Sequence, residues 1–392
     1  MQASRWAQVW MIFGLLWFLL AIAFAPTNKI YQQGLTLFLW LPAVVFAWSA
    51  RERLKDVWRE QRWICLMIAA LAAWGAISLL WTNAEDPSRE AKRLLYIGMF
   101  LLFFPVFACG QTERVIRVMQ WGGFGLGLSS LGAIIKFYGL EHNAWYARLE
   151  GLGQLSHPIL GAYVIGLAAV WLLHWLPRGR WMQVAWVLSI GLLGLFVVLS
   201  QSRGAALALL LTVVAMPAWC RDRRTTVIAA GAVLAALAVF FAMQSLMLAR
   251  GVSYRPQIFM SAMQMIAEHP WTGLGLGGDY KVLADGVYFD HAHNLFSHVA
   301  IELGLPGLLL WCGLWFGVLW QAWKARDTLY GKGIIGMWVF SFLAMQFDAA
   351  SLTGTPRAEW FISWLPIALA SVLVWARANP EACDKVRVLP NQ

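Results

Sequence analysis

The stretch 6–25, WAQVWMIFGLLWFLLAIAFA, decides the fold class of this chain. It contains no charged residue, and as a helix it is long enough to cross the hydrocarbon core of a bilayer, which is roughly 30 Å thick. No small-residue cleavage site follows it, so we interpret it as a first transmembrane helix rather than a removed signal. Similar apolar runs, each ended by a charged cluster, recur along the whole chain without the alternation of β-barrel strands. The sequence therefore predicts an all-α, polytopic integral membrane protein.

The composition supports the same fold class. Of the 392 residues, 60% are hydrophobic and only 13% are charged, and 25 are tryptophan. Soluble domains carry about 25% charged residues. A water-soluble globule of this length would need a charged surface that this sequence does not supply, so we expect lipid to be the main solvent of the helices.

Hydropathy places about twelve transmembrane helices. Their predicted ranges are 6–25, 30–50, 63–81, 94–109, 118–138, 158–176, 184–200, 204–220, 225–243, 299–323, 334–352 and 361–376. Lys and Arg are more numerous in the loops on the side of the membrane that carries the N-terminus. This excess predicts that both termini are cytoplasmic. The basic residues are spread over many short loops rather than one stripe, which disfavours a nucleic-acid partner.

The predicted topology divides the chain into four regions. These are 1–243 with helices one to nine, 244–298 as a periplasmic loop, 299–376 with the last three helices, and 377–392 as a cytoplasmic tail. Within the loop, Pro256–Glu268 is a predicted helix, with proline near its start and His269-Pro270 at its end. The glycines of 271–278 follow no strand, which excludes a nucleotide-binding loop and favours tight turns.

The loop ends in Asp290-His291-Ala292-His293-Asn294, the best candidate for aqueous chemistry in the chain. Histidine can accept a proton near neutral pH, so His293, with His291 second, is a candidate general base. The alternative is a hydrogen-bonded, structural pair. Asp290 and Glu302 are candidate partners of an imidazole, and Asn294 can cap the following helix. No further ligands stand at metal spacing, so we predict no metal and no cofactor.

Two arginines are candidate phosphate ligands. Arg203, in Ser200-Gln201-Ser202-Arg203-Gly204, lies at the predicted outer junction of two apolar runs, and Arg255 opens the predicted outer helix. Guanidinium groups bind phosphate in a bidentate manner, although interfacial arginines also snorkel without further function. Weaker candidates of the same kind are Arg148, Lys136, Arg89 and Arg357. Asp348, near the outer end of the eleventh span, is predicted to pair with one of these arginines.

The pattern of these residues resembles a family. His293-Asn294, nine residues and then Gly304-Leu305-Pro306-Gly307 resemble the signature of bacterial O-antigen ligases. That signature continues with two threonines, where this chain has two leucines. Ser202-Arg203-Gly204, the arginine that opens the outer helix, and the order of nine spans, loop, histidine and three spans also resemble the ligase and polymerase superfamily.

The resemblance implies a GT-C-like glycosyltransferase of the bacterial inner membrane. It implies metal-independent, inverting transfer of O-antigen glycan from undecaprenyl diphosphate to a sugar hydroxyl of lipid A–core at the periplasmic face. In that reaction His293 or His291 would be the base, and Arg203 and Arg255 would bind the diphosphate. The supporting residues would be Asn294, Glu302, Asp348 and Arg148.

Other functions fit parts of the sequence. An O-antigen polymerase would use the same donor and base with a lipid-linked acceptor. A protein O-oligosaccharyltransferase resembles the chain as well, but such enzymes tend to be longer at the C-terminus. A transporter of lipid-linked glycans suits the number of spans, but transporters carry paired broken helices near the midplane, and this sequence shows no such pairing.

Overall fold

The computed structural model describes residues 5–249 and 254–378, and 243–249 by their backbone. Helices dominate this part of the chain, and its only sheet is one two-stranded hairpin. The predicted all-α fold class is therefore confirmed.

The first part of the chain is a series of apolar helices. One π-helical stretch (Thr36–Trp40) joins the second helix to the third, and another (Ile135–Leu140) follows the sixth. The helices are α1 (Arg5–Phe24), α2 (Asn28–Leu35), α3 (Leu41–Ala47), α4 (Arg51–Ser78), α5 (Pro87–Ala108), α6 (Thr112–Ile134), α7 (Pro158–His174), α8 (Arg180–Leu199), α9 (Arg203–Ala215), α10 (Pro217–Cys220) and α11 (Arg223–Ala249). A 3₁₀ turn, Gly153–Leu155, precedes α7.

The second part contains the hairpin and the remaining helices. They are α12 (Arg255–Glu268), β1 (Val282–Ala284), β2 (Val287–Phe289), α13 (Leu295–Lys324), α14 (Leu329–Phe347), α15 (Ala358–Ile362), α16 (Trp364–Ala370) and α17 (Leu373–Ala378). The predicted outer helix is confirmed as α12.

Within the described residues, nine helices are long and apolar enough to cross a membrane. Two shorter apolar stretches, Pro158–His174 and Trp364–Ala378, and the 19-residue α14 overlap the other predicted spans. Each of the twelve predicted ranges thus falls on one of these helices, while the number that cross the bilayer stays a prediction.

Helix ends differ most from the prediction where charged residues extend an apolar run. The segment 51–62, predicted as a loop, forms the first turns of α4, with a kink at Gln61 (φ −126°, ψ 29°). The Gln61 side chain donates to the Ala370 carbonyl at 2.8 Å. Helix α11 continues to Ala249, past the predicted end at 243. Hydropathy detects the apolar part of a helix, whereas backbone hydrogen bonding continues beyond it.

Helix α7 lies at the centre of the fold and positions the candidate site. It is buried from Gly161 to His174 and packs against α6, α8, α9 and α14. Helices α7 and α14 run in opposite directions, since Gly166 faces Phe340 while Gly336 faces His174. The N-terminus of α7 therefore lies beside the C-terminus of α14, where Asp348 follows.

Candidate functional site

A short hairpin delivers the two histidines. Strand β1 pairs with β2 in antiparallel register, Val282 opposite Phe289, around a turn at Asp285 (φ 49°) and Gly286 (φ 78°). Asp-Gly with positive φ at both positions is the signature of a two-residue hairpin turn. The sequence analysis missed this signal, which lies only a few residues before His291.

The glycine-rich segment docks the loop onto a break in α13. Tight turns are confirmed there by positive φ at Gly273, Gly275 and Gly277. Three backbone hydrogen bonds join this segment to α13: Leu274 N to Ile301 O (2.9 Å), Gly275 N to Glu302 O (2.8 Å) and Leu305 N to Pro270 O (2.7 Å). The first two bonds satisfy carbonyl groups that the broken helix leaves without an intrahelical donor, and the third satisfies an N–H group of the same helix.

Gly304 makes this break possible. Its backbone has φ 66° and ψ −174°, a conformation that essentially only glycine adopts, and a Cβ atom there would lie 2.7 Å from the Trp271 carbonyl. A Cβ atom at Gly307 would clash with Cβ of Leu303, one turn earlier on α13. Gly304 thus seats the outer loop on α13, and Gly307 leaves room for Leu303 beside the break.

Asn294 fixes the position of the neighbouring histidine. Its Oδ1 accepts from the backbone N–H groups of Phe296 (2.9 Å) and Ser297 (3.1 Å), which confirms the predicted helix cap. Its side-chain amide donates to Oε1 of Gln346 at 3.0 Å, and so ties the start of α13 to the end of α14. His293 has φ 49°, a left-handed conformation that is uncommon outside glycine.

Asp348 binds both histidines. Its Oδ1 accepts from Nε2 of His291 at 3.1 Å and from Nδ1 of His293 at 3.0 Å, and the two ring centroids are 4.0 Å apart. The Asp348 side chain is 6% exposed, while each imidazole is 24% exposed. Burial opposes ionisation of Asp348, but the hydrogen bonds from the two imidazoles outweigh it and hold its pKa well below the usual range.

The predicted partners differ from the observed ones. Asp348 was predicted to pair with an arginine, and the partners seen here are two histidines that lie far away in the sequence. Glu302 was expected to orient one of these imidazoles, but it lies 3.4 Å from Nε2 of His298, one turn earlier on α13. The Tyr280 hydroxyl contacts Nδ1 of His298 at 2.8 Å on the other side.

The two candidate phosphate ligands start helices that converge on Phe347, the residue before Asp348. Arg255, the first residue of α12, donates from Nε to the Phe347 carbonyl at 2.9 Å. Arg203, the first residue of α9, precedes Gly204, where a Cβ atom would lie 2.9 Å from both Cβ of Phe347 and the Tyr163 hydroxyl. Glycine therefore permits the close approach of α9 to the site.

Arg148 supports the turn between α8 and α9 from a loop. Its Nε donates to the carbonyl of Ser200 at 3.1 Å, and the backbone N–H of Leu149 donates to the Leu199 carbonyl at 3.0 Å. The loop before α7 is thereby fixed against the turn that carries Arg203. The structure thus gathers Arg148, the two helix-opening arginines and the histidine cluster at one end of the helix bundle.

His157 belongs to the same neighbourhood and was missed by the sequence analysis. It caps α7, with Nδ1 accepting from the backbone N–H of Leu160 at 3.3 Å. Burial lowers its pKa, and the charge of Asp348 acts in the opposite direction. The available signal was its place directly before Pro158 and a long apolar run, which is typical of a helix start.

The cluster permits two kinds of chemistry. An imidazole held by a buried carboxylate is a proton acceptor of defined orientation. The same three side chains offer ligand atoms that lie within 4.8 Å of one another, close enough to hold a metal ion. The sequence alone indicated no such set because Asp348 lies outside the loop, directly after the last turn of a distant helix.

Comparison with known proteins identifies the family. The pattern of a family described as O-Antigen ligase matches residues 188–312. An O-antigen ligase of Pseudomonas aeruginosa is 30% identical over 324 residues, which cover 79% of this chain and 77% of that protein. The chain belongs to the O-antigen ligase family.

Membership of the O-antigen ligase family confirms the resemblance seen in the histidine and glycine motif. The matched residues 188–312 include both helix-opening arginines, both histidines and the Gly-x-x-Gly break. Asp348, Arg148 and His157 lie outside the matched range, and the fold brings them close to its arginines and histidines. The many apolar helices together with this family indicate a multi-pass membrane protein.

Proposed function

We propose that the protein ligates O-antigen during lipopolysaccharide synthesis, as a glycosyltransferase of the bacterial inner membrane. The donor is glycan on undecaprenyl diphosphate, and the acceptor is a sugar hydroxyl of lipid A–core. Both termini are cytoplasmic, and 244–298 is periplasmic. The observation that carries the proposal is the His293–Asp348 hydrogen bond of 3.0 Å beside two arginine-headed helices, in a member of this family.

His293 is the proposed general base. A sugar hydroxyl is a weak nucleophile at neutral pH and needs a proton acceptor as it attacks. Because an ionised Asp348 accepts the Nδ1–H of His293, the tautomer is fixed and Nε2 is left to take the hydroxyl proton. The left-handed backbone of His293 is consistent with strain retained at a functional site. His291, bound through Nε2, is the second candidate.

The leaving group is a diphosphate, whose charge grows as the glycosidic bond breaks. The acceptor oxygen attacks the anomeric carbon, its proton passes to His293, and the donor C–O electrons leave with undecaprenyl diphosphate. Arg203 and Arg255 stabilise that charge, and the N-termini of α9 and α12 add their backbone N–H dipoles. One displacement inverts the anomeric centre. Arg203→Ala is expected to raise the donor KM by about tenfold, the loss of roughly one charge-assisted contact.

The proposed reaction uses no metal ion and no cofactor. In this reading Asp348 binds two imidazole N–H groups, and arginines rather than a cation neutralise the diphosphate. The competing reading places a metal ion between the same three side chains. Ligation that persists in excess chelator supports the first reading, whereas loss with chelator and recovery with one divalent ion would establish the second.

Glycan analysis of a deletion strain tests the function. The strain is complemented with wild type or His293→Ala, and lipopolysaccharide gels are run beside an assay for carrier-linked glycan. Loss of the whole ladder, with long polymer still on the carrier, is the expected result for a ligase. A core that bears one repeat indicates a polymerase, and an unchanged ladder excludes both and favours transport or another acceptor.

A further inference from the structure

A polar cavity of about 180 Å³ lies next to the histidine cluster, and no part of the proposed mechanism uses it. We call it the Glu359 cavity. Helix α5 contributes one wall through Arg93, and the segment after Asp348 contributes the rest. Its polar or aromatic lining residues are Arg93, Ser351, Thr355, Arg357, Glu359 and Trp360.

Two buried polar atoms in the lining have no hydrogen-bond partner among the described residues. They are Oε2 of Glu359 and Nε of Arg93. Glu359 is 7% exposed, and the Arg93 guanidinium binds Glu90 through Nη1 only. A buried polar group without a partner costs about 1–3 kcal/mol, so such atoms are uncommon in native folds. A carboxyl oxygen and a guanidinium N–H that both lack partners in the lining of one cavity indicate a ligand that can donate to the first and accept from the second.

The Glu359 cavity is close to the reacting groups. The charges of Asp348 and His291 both act on the Glu359 carboxyl. The segment that joins Asp348 to α15 also lines a second, apolar cavity of about 50 Å³, to which it contributes Leu352 and Thr353. Polar and apolar space therefore adjoin within a few residues of Asp348, as a lipid-linked sugar requires.

The lining selects one class of ligand. Two arginines disfavour a metal cation, and the Glu359 carboxyl disfavours a bare phosphate. A sugar hydroxyl donates and accepts at once, and so satisfies both an orphan carboxyl oxygen and an orphan guanidinium N–H. Ser351 and Thr355 offer two more hydroxyl groups, and Trp360 offers an aromatic wall. A few placed polar groups in a small concave site are typical of specific ligand recognition.

We propose that the Glu359 cavity is a saccharide subsite that holds a sugar of the acceptor glycan and presents its hydroxyl to the base. This inference rests on the proposed ligase function. The acceptor is favoured over the donor because the proposed diphosphate ligands belong to α9 and α12, whereas α5 and the segment after Asp348 form the cavity.

Steady-state ligation with the reconstituted full chain tests the assignment. Glu359→Gln keeps the shape of the side chain, and Glu85→Gln, a 91% exposed carboxyl, is the matched control. We expect Glu359→Gln to raise the acceptor KM by about tenfold, with the donor KM unchanged, because one ligand contact is weakened. A rise in the donor KM alone, or no change in either, overturns the proposal. If Glu359→Gln fails to fold, Thr355→Val replaces it.

A binding measurement separates this proposal from the proposed function. Core oligosaccharide freed of lipid by mild acid is titrated into His293→Ala protein, with inorganic phosphate as competitor. The subsite is supported if phosphate does not displace the oligosaccharide and if Glu359→Gln weakens oligosaccharide binding about tenfold. The proposal is overturned if the oligosaccharide does not bind, or if phosphate displaces it equally from the His293→Ala protein with and without Glu359→Gln. Binding together with an unchanged lipopolysaccharide ladder in the deletion strain retains the subsite and rejects the ligase.

Discussion

Two histidine–carboxyl groups stand on either side of Asn294, and they differ in where the carboxyl comes from. In the first, His291 and His293 bind Asp348, which lies at the end of another helix, and each imidazole is 24% exposed. In the second, His298 meets Glu302 one turn along the same helix, and both side chains are almost fully buried, at 4% and 6% exposure.

The difference separates a reactive group from a structural one. An exposed imidazole oriented by a buried carboxylate can exchange a proton with a substrate, whereas a buried pair on one helix has no substrate to reach. Tyr280 joins the two groups, because its hydroxyl contacts His298 and its side chain packs against the apolar cluster that contains Ala292, between the two outer histidines. The buried pair thus holds the loop that presents the exposed pair.

The largest expected effect is on the exposed pair. His293→Ala should lower ligation by about 10²- to 10⁴-fold, the usual contribution of a general base, and His291→Ala should lower it less. The measurement is ligation rate per mole of folded protein, with membrane protein levels as the control. A fully active His293→Ala variant would end the base assignment, and a larger loss for His291→Ala would move the base to His291.

Asp348→Asn tests whether the remote carboxylate orients the base. An amide keeps the shape of the side chain and its oxygen can still accept from both imidazoles, but it carries no negative charge. The rate should fall by about 10²-fold or more, because the imidazolium that forms when the base takes a proton loses its buried counter-charge. Asp290→Asn is the matched control, since Asp290 precedes His291 on the outer loop and is exposed. Equal rates for the two variants would contradict an orienting role for Asp348.

Much of the fold could be predicted because lipid imposes a simple rule on sequence. Apolar runs of bilayer length identified each long helix, and Pro256 with His269-Pro270 bounded α12 to within one residue. Helix ends at charged clusters, such as the start of α4, could not be predicted. There the backbone stays helical in the interface, where hydropathy carries no signal.

The residue types of the candidate site could be predicted, but not all their pairings. His293, Asn294 and Arg255 all belong to the predicted loop 244–298, so the sequence placed them together. Asp348 and His157 reach them through helix packing over long sequence separations, which residue spacing does not encode. The Asp285-Gly286 turn was a readable signal that was overlooked.

The buried pair should respond in stability rather than rate. His298→Ala leaves Glu302 without its partner and removes the anchor of Tyr280, so the free energy of unfolding should fall by about 1–3 kcal/mol. The thermal midpoint in detergent measures this, and the rate per folded molecule should change far less than in His293→Ala. His269→Ala, an exposed histidine before the same loop, is the control. An unchanged midpoint with a collapsed rate would place His298 in the chemistry instead.

Glu359 contrasts with Asp348 because it is a buried carboxyl with no imidazole bound to it among the described residues. Burial raises its pKa above the ordinary value of 4.5, whereas two imidazoles lower that of Asp348.

A raised folded pKa means that the folded state binds the proton more tightly, so stability falls as pH rises from about 4.5 through the folded value. Glu359→Gln cannot ionise and escapes this loss. Its thermal midpoint relative to wild type should therefore be higher at pH 8 than at pH 5, by a shift on the order of 1 °C. A difference independent of pH would show that Glu359 ionises as readily in the folded protein as in the unfolded chain, and the contrast with Asp348 would then disappear.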